Sequence, residues 1–210
     1  MTVTCNGLPA QVEDLLPALV NYGHFTSLQV RDHAVQGLDL HLARLSQATR
    51  ALFGSELDTV QVQTWMAQAL QQAGLADASL RVTVYSRRFD FRNPLAAVPV
   101  DVLVAVSAPV ALIAPKRVRS VVWQREMPQL KHVGTFGLFA ERRAAMAEGF
   151  DDVLFVTADG DVSEGSTWNL AVHDGERLLW PQAPALRGTA EALLKRHWPD
   201  TQLARPLALA

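Results

Sequence analysis

Leu38, Leu42, Leu45, Thr49 and Leu52 recur at three- and four-residue spacing, a period that predicts a helix over 38–53 with one apolar face. Such a face has to be covered, so the chain must supply a second layer. A partner helix is legible just downstream. Asp58 with Gln61 forms a capping box, Val62, Met66, Ala69, Leu70 and Ala73 make the stripe, and Gly74 ends it. Strand patterns lie on either side. Asn6-Gly7 is a turn between the short runs 2–5 and 8–12, and 21–32 reads as an irregular strand through Phe25, Leu28 and Val30. Leu80–Ser86 alternates β-favouring residues, and Pro99–Val106 is a nearly continuous buried run. Helices and strands therefore mix in one layered α/β unit.

Pro109–Pro115 predicts a linker, giving a small N-terminal α/β domain over 1–110 and a second domain over 115–210. The second opens with a strand over 117–124. Lys131 follows, then a helix ending near Gly149 whose Val133, Phe136, Phe139, Ala140, Ala144 and Met146 are expected to face inward. Two hairpins come next: 152–157 and 161–163 flank Ala158-Asp159-Gly160, and 169–173 and 177–180 flank Asp174-Gly175. A last helix is expected to start near Thr189.

Composition removes several functions. The net charge of -2 gives no broad positive field for nucleic acid or an anionic membrane, and no apolar stretch is long enough to span a bilayer. The expected setting is cytoplasmic. Histidines at 24, 33, 41, 132, 173 and 197 show no H-E-x-x-H spacing, and the lone Cys5 builds neither a thiolate zinc site nor an internal disulfide, so no metal is expected. The chain has no G-x-x-x-x-G-K-[ST] phosphate loop, no G-x-G-x-x-G after a strand and no G-x-S-x-G elbow.

What remains, in order, is a lysine after a strand, a carboxylate at Glu164, and a glycine leading into a helix at Gly188. The runs Leu130-Lys131-His132, Asp152-Val153-Leu154-Phe155 and Gly160-Asp161-Val162-Ser163-Glu164-Gly165-Ser166-Thr167-Trp168-Asn169-Leu170 resemble the cofactor region of the class IV pyridoxal-phosphate-dependent aminotransferases. Tyr22-Gly23-His24-Phe25-Thr26-Ser27, then His41-Leu42-Ala43-Arg44-Leu45, are similar to that family's small domain. They stand nearest to the aminodeoxychorismate lyase and branched-chain aminotransferase-like group. The resemblance covers roughly residues 21–194. It implies a two-domain fold, with a small α/β domain before a larger barrel-like one that is truncated at its C-terminus relative to the family, and a homodimer.

The same resemblance implies the roles. Lys131 would join the aldehyde of pyridoxal 5'-phosphate as a Schiff base and then move the substrate's α-proton. Glu164 would pair with the pyridine nitrogen. Arg44 would reach the phosphate, as would the backbone N–H groups of Gly188 and Thr189 at a helix N-terminus, with Thr167 in the same shell. His24 and Thr26 would line the substrate pocket. Some positions depart from the family pattern: Ala171 where an aromatic residue is usual, Trp180-Pro181 where threonine-proline is common, and Thr189-Ala190-Glu191 after Gly188. The implied reaction is amino transfer between an amino acid and a 2-oxo acid. Elimination of the aminodeoxychorismate lyase type, or a non-catalytic relative that keeps the fold, are the alternatives.

Overall fold

A computed structural model describes residues 1–109 and 115–209, with the side chains of 16–18 left aside. The chain divides into two compact units, Met1–Leu112 with Lys131–Gly134, and Ile113–Leu130 with Thr135–Ala210. Most of the linker predicted at Pro109–Pro115 falls on 110–114, outside the described residues.

The first unit runs β1 (Thr2–Cys5), β2 (Leu8–Pro9), α1 (Val12–Ala18), β3 (His24–Val30), α2 (Leu38–Phe53), α3 (Thr59–Ala73), β4 (Ala78–Tyr85) and β5 (Asp101–Ser107). Its strands form one antiparallel sheet in the order β2-β1-β5-β4-β3. The register lines up buried residues across three strands: Leu28, Leu80 and Val106 in one row, Thr26, Val82 and Val104 in the next, His24, Val84 and Val102 in a third. Because successive side chains alternate in direction, these rows share one face. α2 packs on β3, and α3 packs on β5 and β1. The helices close that face with Leu45, Ala48, Leu52, Val62, Met66 and Ala69, all buried. Each fully buried Leu or Val contributes about 1.5–3 kcal/mol. Both helices keep their expected bounds. Asp58 caps α3 by accepting from the Gln61 N–H at 2.9 Å, and Gly74 ends it at φ 66°.

In the second unit β6 (Val118–Val122), α4 (Phe136–Ala147), β7 (Asp152–Val156) and β8 (Val162–Gly165) precede β9 (Val172–His173), β10 (Leu178–Pro181), α5 (Thr189–His197) and β11 (Gln202–Arg205). Two three-stranded sheets result, β6-β7-β8 and β11-β10-β9, and both predicted hairpins are present as the antiparallel pairs β7–β8 and β9–β10. β6 and β7 are parallel, with α4 as the crossover.

The inward face expected for α4 is wrong. Phe136, Phe139 and Met146 are 87%, 48% and 53% exposed and Ala140 and Ala144 are also exposed, while Leu138 and Ala145 are buried. Val133 precedes the helix and pairs with Gly23. The physical reason lies on the sheet. Trp123 and Phe155 already fill its face, their rings 4.5 Å apart, so the helix lies down on its narrow side. A Cβ on Gly137 would stand 3.1 Å from the Trp123 ring, so only a small residue fits at that contact.

One irregularity bears on chemistry. Leu154 pairs with Gly165 and Val156 with Val162, so β8 carries one more residue than β7 between those pairs. Such a bulge breaks the strict alternation of side chains and re-aims those within it, here Ser163 and Glu164.

Candidate active site

The predicted site residues divide between the two units. In the first unit, the segment carrying Lys131 extends the sheet past its edge strand. The Phe25 N–H donates to the Lys131 carbonyl at 2.9 Å, the Val133 N–H donates to the Gly23 carbonyl at 3.0 Å, and His24 and His132 form an antiparallel bridge. Main-chain bonds therefore fix the lysine, whatever its side chain does. Its amine lies 4.9 Å from the centre of the Phe25 ring, and the Arg81 guanidinium lies 3.5 Å from the same centre. Two cations share one aromatic ring.

Arg44 stands on α2 with its guanidinium pushed below its ordinary pKa by burial. His41, one turn earlier, is held neutral: burial first, then the Arg44 and Lys131 charges, depress it to about 4, against an opposing pull from Asp39. His41 thus senses both predicted cofactor cations. His24 and Thr26, assigned to the substrate by resemblance, are fully buried and engaged with α2 instead. The His24 Nε2 lies 3.0 Å from the Thr49 Oγ1, and the Thr26 Oγ1 lies 2.7 Å from the His41 Nδ1. Their observed task is to tie α2 to β3.

In the second unit Glu164 is 5% exposed, and the Arg125 Nε donates to its Oε1 at 3.4 Å. The neighbouring loop is joined to the chain before α5. Ser163 donates to the Pro184 carbonyl at 2.7 Å, and the Asn169 side-chain amide donates to the Leu186 carbonyl at 2.7 Å. Gly188 is the N-cap of α5, and a Cβ there would overlap the Asn169 Oδ1. Thr189 is the first helical residue, and Thr167 is exposed on the loop after β8. Glu191 is buried and taken up by Lys195 and Arg187. The acid that departs from the family pattern is therefore paired with Lys195 one turn on in the same helix and with Arg187 just before it. Asp152, fully buried at the start of β7, holds Lys116 at 3.2 Å and Arg142 at 3.7 Å.

Gly165 sits beneath Trp168, where a Cβ would overlap the indole. Gly165→Ala is expected to lower stability by about 1–3 kcal/mol through overpacking, read from the urea midpoint. An unchanged midpoint would mean that the ring moves aside without cost. Sequence reasoning missed Arg125 and the Arg81–Phe25–Lys131 arrangement, because nothing local marks one arginine among many as buried.

Among the described residues there is no group of three or more His, Cys, Asp or Glu side chains that could hold a metal, and no helix is long and apolar enough to cross a membrane. The amino-transferase class IV family model matches residues 23–208. A curated bifunctional aminodeoxychorismate lyase / D-amino acid transaminase from Mycobacterium tuberculosis (strain ATCC 25618 / H37Rv) is 29% identical over 90% of this chain and 72% of its own length. Among solved structures, the apo form of a hypothetical aminotransferase from Mycobacterium tuberculosis aligns at a TM-score of 0.77 and 26% identity over 100% of this chain and 82% of that one. A fold IV-transaminase from Curtobacterium pusillum aligns at a TM-score of 0.75 and 22% identity, over 92% of this chain and 70% of that one.

Proposed function

The chain belongs to the amino-transferase class IV family, and on that premise we propose that it exchanges an amino group between an amino acid and a 2-oxo acid, with pyridoxal 5'-phosphate held at Lys131. The observation that carries the proposal is the placement of Lys131, pinned by main-chain bonds at the edge of β3 with its amine against Phe25.

The residues present fit that cofactor. Glu164 is a buried carboxylate, the acceptor that a protonated ring nitrogen needs. The backbone at Gly188 is too close to Asn169 to carry a side chain, and it opens a nine-residue helix whose first N–H groups suit a phosphate. Arg44 offers a partly desolvated guanidinium that can engage two phosphate oxygens. Thr167, exposed near the Glu164 strand, completes the proposed set.

When bound, the cofactor supplies the electron sink for the pair released at the substrate α-carbon. Lys131 Nζ would take the proton from that carbon, leaving the C–H pair to the sink, and later return it. The flanking main-chain bonds keep the amine in place between the two transfers. The Glu164 carboxylate would hold a proton on the ring nitrogen, and Arg44 and the N–H groups at the start of α5 are the groups that would bind the phosphate. We place the reaction in a cytoplasmic homodimer.

A second reading, lyase chemistry of the aminodeoxychorismate type, is favoured by the curated relative that combines both activities. Both readings use Lys131 and Glu164 in the same way. One experiment tests the cofactor site: incubation with pyridoxal phosphate, borohydride reduction, digestion and mass spectrometry. The expected result is a single modified peptide containing Lys131. A folded protein left unmodified at Lys131 would overturn the proposal. An amino-donor screen on the unreduced, cofactor-loaded protein then separates the readings: amino transfer leaves the cofactor in its amine form, whereas elimination leaves it in its aldehyde form.

A further inference from the structure

Arg125 is 6% exposed and its Nε lies 3.4 Å from the Oε1 of Glu164, itself 5% exposed. A buried arginine is rare unless paired, and this one is not part of a strand. It lies just past β6, where Trp123 still donates to the Val156 carbonyl, on the segment that turns through Met127 (φ 44°) toward Lys131. Glu164 lies on β8, at the far side of β7, within the bulge. The pair therefore spans the β6-β7-β8 sheet and meets on the carboxylate that the proposed function gives to the cofactor's ring nitrogen.

The chemistry follows from charge. A carboxylate removed from water prefers to be protonated, and a cation beside it reverses the preference. If Glu164 shares one proton with a ring nitrogen, the position of that proton depends on what else stabilises the carboxylate. Arginine is protonated throughout the working range, so its charge is permanent. We infer that Arg125 is a positioning residue that keeps Glu164 ionised and so places the shared proton on the ring nitrogen. This rests on the proposed cofactor site. Arg125 acts through Glu164 and contacts no reacting atom.

The alternative is a buried ion pair that only holds the loop onto the sheet. Pairs of that kind also cost stability when one partner is removed, so loss of stability or activity does not separate the two roles. The position of the proton does. The protein would be loaded with pyridoxal phosphate carrying 15N in the ring, and the 15N chemical shift, which differs widely between protonated and free ring nitrogen, measured at neutral pH. Wild type is expected to show the protonated value. Glu164→Gln is the reference for loss of that proton. Arg125→Met and Arg125→Gln are expected to move the shift most of the way toward the Glu164→Gln value, and Arg125→Lys to restore it. Gln keeps an N–H donor beside the carboxylate, so it remains testable should Met not fold.

Wild-type shift values in both folded neutral variants would overturn the inference and leave the proposed function standing. Wild-type protein that does not take up the cofactor would overturn both. A shift in the neutral variants that Lys fails to reverse would also count against the inference, because charge would not then be the cause.

Discussion

Replacing Lys131 by alanine is expected to abolish borohydride labelling and to lower turnover by roughly 10³–10⁴-fold, equivalent to about 4–5.5 kcal/mol in the barrier. The fold should hardly notice. The bonds that fix residue 131 are its own carbonyl and the amide of Val133, and alanine keeps both. The side chain is only partly buried, so the change in stability should stay within about 0.5 kcal/mol. The contrast between a large kinetic loss and a small shift in melting is the measurement to make. An added small amine should restore part of the rate by standing where the side chain was. Turnover within tenfold of wild type would mean that another residue moves the proton, and the functional reading would fall with it.

How much of this was legible beforehand depended on whether the signal was local. α2 and α3 were readable to their ends because helical period, an Asp58 cap and a C-terminal Gly74 all lie within a few residues of one another. The hairpins were readable for the same reason, each turn being named by its own residues. The placement of Lys131 was not. In sequence it follows a strand of the second half, yet it is bonded to β3 more than a hundred residues earlier, and main-chain pairing at such a separation leaves no trace in residue type. The α4 error had a different origin. Phe136, Phe139, Ala140 and Met146 do make an apolar stripe, but the deciding volume belonged to Trp123 and Phe155 on the sheet. A pattern gives the faces of a helix, and the neighbour chooses between them.

Glu164, which the resemblance gives to the ring nitrogen, is buried and paired with Arg125. His24 and Thr26, which the resemblance gives to the substrate pocket, are fully buried. Those two lie on the strand beside Lys131, but strand alternation turns them toward α2, whereas Phe25 between them points the other way, under the lysine amine. A resemblance that assigns a run of residues to a pocket says nothing about which alternate members face it.

Those two inward residues, with their helix partners, give the largest expected effect on stability. His24 and His41 are both neutral in the folded protein. Burial depresses His24 to about 4, and burial, reinforced by Arg44 and Lys131, depresses His41 to about 4. An unfolded histidine titrates near 6.5. Above that value neither state binds the protons, and the contribution of these sites is fully present. As pH falls from about 6.5 toward 4, the unfolded chain takes up two protons that the folded chain refuses, and stability drops with them. Each site accounts for roughly 3 kcal/mol over that window, so the pair removes about 6 kcal/mol, a large part of the 5–15 kcal/mol typical of a domain. Urea unfolding of the wild type should therefore show a slope of about 2.7 kcal/mol per pH unit near pH 5, the value for two protons. The double variant His24→Gln with His41→Asn keeps hydrogen-bonding groups for Thr49 and Thr26 but cannot titrate there. It should be less stable at pH 7 and much less sensitive to acid. Equal slopes in both proteins would assign the acid lability to carboxylates and remove the histidines from the account. A lost slope would instead identify the buried layer between β3 and α2 as the part of the fold that acid opens, which is the layer that holds Arg44 to the strand beside Lys131.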